Sequence, residues 1–326
     1  MNQTELLNYN GWRNRIRFTN EYVTPGSHPI IWDEIGLPRN MNNKSYFETG
    51  AWDGGYAFEA ENRGADEIMA SDLWGLQNFD GSKYSHNPSR QGFDLMHEFL
   101  NSSVKSLSID IVDVTPETVG KWDIVNCMSV LSWTNFPIYI LKNLASITED
   151  SLYLTVALQS KDRSIPNISM YSKPDGNDYN ERWVMNKTAM RYILHKYCGF
   201  RNVEFRRLNY FSYRTFGIIG TRGCMYSDFD LTETNSTISR GTIVEIVSDM
   251  GPVVYLRDLR NQTGWAKKTE INLHLENKGN GFDQLIKSLK SFKDRQRDLY
   301  NHFLKLTGLV DGPTGQVGYA IKATKE

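Results

Sequence analysis

An acid, a spacer, a glycine, three residues and a second glycine stand in Glu48, Gly50 and Gly54, and Asp72 follows about one βαβ unit later. Residues of these types at this spacing make a nucleotide-binding corner. Ser45–Thr49 is short and β-favouring and reads as a buried strand. Gly50, Gly54 and Gly55 then let the chain turn tightly into a helix over 56–63, which Gly64 ends as its C′ residue. A second apolar run over 67–71 stops at Asp72, which places a carboxylate at a strand end where ribose hydroxyls would be held. A dinucleotide site needs glycine two positions after its first glycine so that pyrophosphate can approach the backbone. Here that position is Trp52, whose indole fills the phosphate's room.

The Glu48, Gly50, Gly54 spacing resembles motif I of class I S-adenosylmethionine-dependent methyltransferases, whose cofactor has no phosphate to accommodate. A closer resemblance rests on Thr24-Pro-Gly, Trp32, Leu37-Pro38, 47–65 with its Gly-Ala-Trp-Asp-Gly-Gly segment, Gly92-Phe-Asp-Leu-Met-His97, 115–125, Trp183 and Cys198-Gly-Phe200. These are similar to the methyltransferases related to the tRNA wobble-uridine (5-methoxy/5-oxyacetyl) enzymes, over roughly 60% of the chain, from about Trp12 to Leu208. The resemblance implies S-adenosyl-L-methionine as cofactor and a site lined by Glu48, Gly50, Ala51, Trp52, Gly54, Asp72, Leu73, Asp110, Ile111, Asn126 and Met128. Asp110, slightly preferred to Asp113, would accept a hydrogen bond from the adenine's exocyclic amine. No residue is marked as a catalytic base, and no metal is expected.

One departure bears on the substrate. Where the family usually reads Val-Leu-Tyr-His after the fourth strand, this chain reads Val130-Leu-Ser132-Trp133. The tRNA substrate is therefore not carried over. Residues expected to face an acceptor are His28, Tyr56, Trp133 and Trp183; Trp52, Trp133 and Trp183 form either an aromatic wall for a planar or cationic acceptor or ordinary core.

The elements that must position these groups follow in order. Residues 1–44 are an aromatic-rich arm, either a lid over the cofactor mouth or the cover of a sheet edge. Strands and helices then alternate from 45 to 158: a helix over 92–100 with Phe93, Met96, Phe99 and Leu100 on one face, a strand over 106–110, a strand within 121–131, a helix over 136–147 and a strand over 152–158. Such alternation means a parallel sheet with right-handed crossovers. A helix over 186–199 precedes strand-like runs over 202–208 and 211–219, expected as the closing antiparallel hairpin. The fold class is thus α/β, a Rossmann-like class I methyltransferase sheet over 45–225 with a small C-terminal β module and a long helix.

The polar stretch 226–239 reads as a linker, 240–275 as a β module resembling an SH3-like barrel, 280–307 as an amphipathic helix and 308–326 as a tail. Phe282, Leu285, Leu289, Phe292, Leu299, Phe303 and Leu306 repeat at 3–4 spacing, a seam for a homodimer or for packing on the same chain.

The 326 residues, 40% hydrophobic, suffice for one large domain and a smaller one. With 37 basic and 38 acidic residues the formal net charge is −1, so the whole molecule lacks the cationic bias that points to nucleic acid or membrane. Cys127, Cys198 and Cys224 are odd in number and far apart, which excludes a disulfide framework or CxxC zinc site and leaves them as small buried hydrophobes. A start without basic residues or an apolar run, and the lack of any stretch near 18 apolar residues, lead to a cytoplasmic expectation. The reading is a methyltransferase acting on a small-molecule, sugar or nucleotide-linked acceptor, with a tRNA-modifying enzyme or an inactive cofactor-binding scaffold as alternatives.

Overall fold

A computed structural model describes residues 3–19, 22–26, 28–75, 89–131, 134, 136–159, 164–171, 182–208, 215–219, 223–227, 231–232, 234–238, 243–250, 253–258, 263–275 and 316–325. Its contacts divide the chain into two units, Ile31–Leu208 with Asp311–Glu326, and Met1–Ile30 with Asn209–Val310. The expected arm therefore parts at residue 30, and its second half belongs to the unit that carries the glycine corner.

In the first thirty residues, helix α1 (Gln3–Asn8) buries Leu6 and Leu7, and the Trp12 indole N–H donates to the Leu6 carbonyl at 2.7 Å. Two short strands, β1 (Asn14–Arg15) and β2 (His28–Pro29), run parallel. Thr24 joins this segment internally: its hydroxyl donates to the Asn14 carbonyl and accepts the Ile16 N–H.

The site-bearing unit begins with helix α2 (Trp32–Ile35) and continues β3 (Ser45–Thr49), α3 (Gly55–Asn62), β4 (Glu67–Asp72), α4 (Gln91–Leu100), β5 (Lys105–Ser108), α5 (Pro116–Val119), β6 (Trp122–Met128), α6 (Pro137–Ile147) and β7 (Thr148–Gln159). A hairpin of β8 (Ile168–Tyr171) and β9 (Arg182–Met185) follows, then α7 (Lys187–Lys196) and β10 (Asn202–Arg207). Strands β5, β4, β3, β6 and β7 lie side by side and parallel, and β9 continues the parallel set at Leu158 and Met185. Period-2 alternation puts Phe47, Val125, Cys127, Leu152 and Leu154 on one face, where they form a single core with α6 and α7. Tyr46, Glu48, Ile124 and Asn126 take the other face, with Trp32 of α2 stacked near Tyr46. The expected order of elements is present here, with boundaries shifted by a few residues.

The sheet closes differently from the expected hairpin. Its antiparallel edge is present, but the strand between β7 and β10 is Gln316–Thr324, from the far end of the chain. The other unit is a second sheet made by β11 (Thr215–Ile219), β12 (Gly223–Tyr226), β13 (Thr234–Ile238), β14 (Ile243–Met250), β15 (Val253–Asp258), β16 (Thr263–Lys267) and β17 (Ile271–Leu275); the late strand is β18 (Gln316–Thr324). Strand β11, expected beside β10, instead pairs with β14 and β17. The stretch expected as a linker holds β13, and the β module begins before residue 240 with β11 and β12. The end of the chain expected as a tail supplies Tyr319, Ile321 and Ala323 to the large core. The module has its own core of Met225, Ile238, Val244, Val254, Leu256, Ala266 and Ile271. The helix expected over 280–307, with its dimer seam, lies outside the described residues, as do Ser132 and Trp133. Among the described residues, no helix is long and apolar enough to cross a membrane.

Candidate functional site

Strand β3 ends at a turn whose shape depends on backbone that most residues resist. Gly50 and Gly54 take φ of 77° and 78°, and between them Trp52, which is not a glycine, is also left-handed at 54°. A methyl group on Gly50 would overlap the Val130 side chain, and one on Gly54 would lie 2.7 Å from Phe93 Cδ2 and 2.8 Å from Phe58 Cε2. Both glycines are required by conformation and by close packing together. The N–H groups of Gly50 and Ala51 donate to the Ser71 carbonyl at 2.9 and 3.0 Å, and the Ser71 hydroxyl donates to the Glu48 carbonyl at 3.0 Å. Gly54 closes the turn on the Ala51 carbonyl and caps α3, whose C-terminus Gly64 ends at φ 87°, as the sequence leads one to expect.

Asp72 reaches from the end of β4 back into this turn. One of its oxygens accepts the Trp52 N–H at 2.6 Å and the other accepts the Leu73 N–H at 2.7 Å, while the Trp74 indole donates to the Trp52 carbonyl at 2.8 Å. These bonds hold Trp52 in its unusual conformation. They also occupy, with a carboxylate, the backbone N–H that would meet a phosphate in a dinucleotide site.

Two more acids stand at the same corner. Asp53 is fully buried in the turn, and Glu48 is 2% exposed on β3. Burial pushes the Glu48 carboxyl well above the usual carboxylate range, the Ala57 backbone N–H pulls it back, and the negative charges of Asp53 and Asp72 raise it further. One Glu48 oxygen has no hydrogen-bond partner, and neither side-chain polar atom of fully buried Asn126, its neighbour in register on β6, has one. The Asn126 amide is near enough to the Tyr46 hydroxyl to act on it, but no hydrogen bond of good geometry joins them.

The remaining expected residues divide. Asp110 is half-buried beyond β5 and caps a turn by accepting the Val112 N–H at 3.1 Å, whereas Asp113 is exposed. Leu73 and Met128 are half-buried at the ends of β4 and β6, and Ala51 is buried in the turn. Ile111 packs into the large core, so its side chain is spent on the fold. Tyr56 is likewise buried: its hydroxyl accepts the Ile31 N–H at 3.3 Å and its ring stacks 6.4 Å from Trp32, an arrangement that anchors α2. His28 is exposed in the other unit. Trp183 is half-buried on β9.

Three contributors were not among the expected site residues. Asp53 sits within the glycine turn itself, an acid flanked by glycine, and reads as a turn former until its burial is seen. Ser129, left-handed at φ 61° just past the end of β6, and Thr155, within β7, bring their hydroxyls to 3.0 Å. A positive φ on serine leaves no sequence signal.

No protein-family model matches this sequence, and no curated protein matches it. Among solved structures, the N-terminal domain of EvdMO1, crystallised in the presence of SAH and D-fucose, is 14% identical and covers 60% of this chain and 84% of that one at a TM-score of 0.43. An S-adenosylmethionine-dependent methyltransferase from Mesorhizobium loti is 10% identical, covering 53% and 82%, at 0.40. Phosphoethanolamine N-methyltransferase 2 of Haemonchus contortus, in complex with phosphomonomethylethanolamine and S-adenosylhomocysteine, is 10% identical, covering 90% and 51%, at 0.45. Likenesses of this degree leave the activity of the chain to be argued from its own residues.

Proposed function

We propose that the unit formed by Ile31–Leu208 and Asp311–Glu326 binds S-adenosylmethionine and transfers its methyl group to a small-molecule acceptor. The observation that carries this reading is the acid-lined glycine corner, in which Asp72 already holds the Trp52 N–H and Glu48 and Asp53 lie alongside. The carboxylates of Asp53 and Asp72 at one turn repel pyrophosphate and favour a cation, and a sulfonium nucleoside carrying an ammonium group is such a ligand. The orphaned oxygen of Glu48 and the orphaned Asn126 amide are polar groups that such a ligand would satisfy. In this reading Asp72, at the end of β4, would hold the ribose hydroxyls, and Asp110, which caps the turn after β5, would receive the exocyclic amine.

When bound, the cofactor supplies an electrophilic methyl group for in-line displacement. The chain's own part is then to position the acceptor and exclude water. Ser129, just past the end of β6, and Thr155, hydrogen-bonded to it from within β7, are the described groups we assign to that task, because ligands of parallel sheets bind beyond the carboxyl ends of the strands. A small acceptor is preferred to RNA because the chain has a net charge of −1. Salt-dependent binding to bulk tRNA would favour the tRNA-modifying alternative, and cofactor binding without turnover on any acceptor would identify a scaffold.

The test is calorimetry with S-adenosylhomocysteine on the wild type and on Asp72→Ala. The wild type is expected to bind and the variant to lose at least tenfold in affinity, since it frees the turn as well as removing a ligand contact. Failure of the wild type to bind, or equal binding by the variant, overturns the assignment.

A further inference from the structure

The buried pair Glu48 and Asn126 is more polar than the cofactor reading alone requires. Glu48 lies at the C-terminal end of β3 with one oxygen unpartnered, and Asn126, directly across in register on β6, is fully buried with both amide atoms unpartnered. Native proteins leave few buried polar atoms in this condition, so each such group calls for an explanation, and a ligand that comes and goes is one.

Among the described residues, the charges that act on Glu48 are Asp53 in the turn and Asp72 at the end of β4; Glu48 in turn acts on Tyr46, two residues back on β3, on which Tyr56 of α3 also acts, and on Cys127 across the sheet on β6. Tyr46, Tyr56 and Cys127 are neutral acids when protonated, and Asp53 and Asp72 add negative charge. Among the described residues, none of these neighbours is a cation. A carboxylate so placed is disfavoured until a positive charge arrives from outside.

We infer that Glu48 is held as a neutral carboxylic acid beside Asn126, and that entry of a cationic ligand into the corner drives off its proton. This rests on the proposed cofactor and adds a property of the protein itself. Glu48 then senses the sulfonium charge, and the protein distinguishes the charged methyl donor from its neutral thioether product by a proton. The burial that raises the Glu48 carboxyl is consistent with this, while the geometric basis is an orphaned oxygen and an orphaned amide buried on paired residues of β3 and β6, beside Asp53 and Asp72. The proton balance is explicit: the acid O–H breaks, the proton goes to buffer and the carboxylate charge offsets the ligand's.

The experiment measures affinity for S-adenosylmethionine and for S-adenosylhomocysteine by calorimetry from pH 5.5 to 8.0, in phosphate and in Tris. Both ligands carry the same amino acid end, so their difference reports the sulfonium. Affinity for the sulfonium form is expected to rise with pH more steeply than that for the thioether, approaching tenfold per pH unit where Glu48 titrates. Tris and phosphate should report release of on the order of one more proton with the sulfonium. Glu48→Gln, which cannot ionise, is expected to bind both ligands with parallel pH profiles. Equal slopes for the two ligands in the wild type, or a divergence that survives in Glu48→Gln, overturns the inference. Should Glu48→Gln fail to fold, the two-buffer comparison on the wild type decides the matter by itself. If neither ligand binds the wild type, the cofactor reading falls and takes this inference with it, whereas binding with equal slopes sinks the inference alone.

Discussion

Gly54→Ala tests whether the glycine turn is set by its close packing. Gly54 has φ 78°, and a β-carbon there would stand 2.7 Å from Phe93 Cδ2 and 2.8 Å from Phe58 Cε2. Ordinary carbon contacts begin at about 3.5 Å, so each ring must give way by roughly 0.7 to 0.8 Å. The rings have little room: Phe58 and Phe93 stack at 5.2 Å, Trp74 lies 5.0 Å from Phe93 and His97 stacks against it at 5.6 Å. The left-handed conformation costs alanine about 1 kcal/mol or more, and overpacking adds about 1–3 kcal/mol. Gly54→Ala should therefore destabilise the unit by about 2–4 kcal/mol, read as a lower urea midpoint at unchanged slope. Phe93→Leu opens space but leaves φ untouched. In the double variant the overlap portion should be recovered and the conformational portion should remain, a coupling of about 1–2 kcal/mol. A wild-type midpoint for Gly54→Ala, or no coupling with Phe93→Leu, refutes the packing account.

Two further outcomes follow from the fold. Deleting residues 316–326 removes β18 from between β7 and β10 and takes Tyr319, Ile321 and Ala323 out of the core, a loss exceeding the roughly 5–15 kcal/mol that holds a domain folded. The truncated protein should lose its near-ultraviolet circular dichroism; retention of that signal would show β18 to be dispensable. Burial pushes the Cys127 thiol up to about 12, so the folded state keeps a proton that the unfolded chain loses above its ordinary value near 8.5. The Cys127 contribution is fully present below that value and is lost as pH rises toward about 12, with a slope approaching about 1.4 kcal/mol per pH unit. Cys127→Ala should flatten the alkaline decline measured by denaturant unfolding, and an unchanged slope would refute the assignment.

The locally encoded parts of the site were legible because their causes are local. A strand over Ser45–Thr49 follows from alternating β-favouring residues, the turn from Gly50 and Gly54, the helix end from Gly64, and the placement of Asp72 from a short apolar run that stops at an acid. What Asp72 does was less legible. Its bonds to Trp52 and Leu73 depend on two strand ends being neighbours, and the burial of Glu48, Asp53 and Asn126 depends on what packs above them. Tyr56, expected toward an acceptor, turned out to anchor α2, because an aromatic hydroxyl on a helix serves whichever backbone amide the fold brings to it.

By itself, the sequence determined the α/β alternation, the glycine corner and the strand character of Thr215–Ile219, whereas Gln316–Thr324 read as part of a tail and became a strand only in the fold. Tertiary structure alone decided which of those two strands completes the sheet. Period-2 alternation specifies a face and not a partner, and the entropy of closing a longer loop grows by only about 0.6 kcal/mol per doubling. A strand from the end of the chain can thus displace the next one in sequence. Pairing of β18 with both β7 and β10, and of β11 with β14 and β17, gives each strand a hydrogen-bonded neighbour on both edges, which no local pattern records.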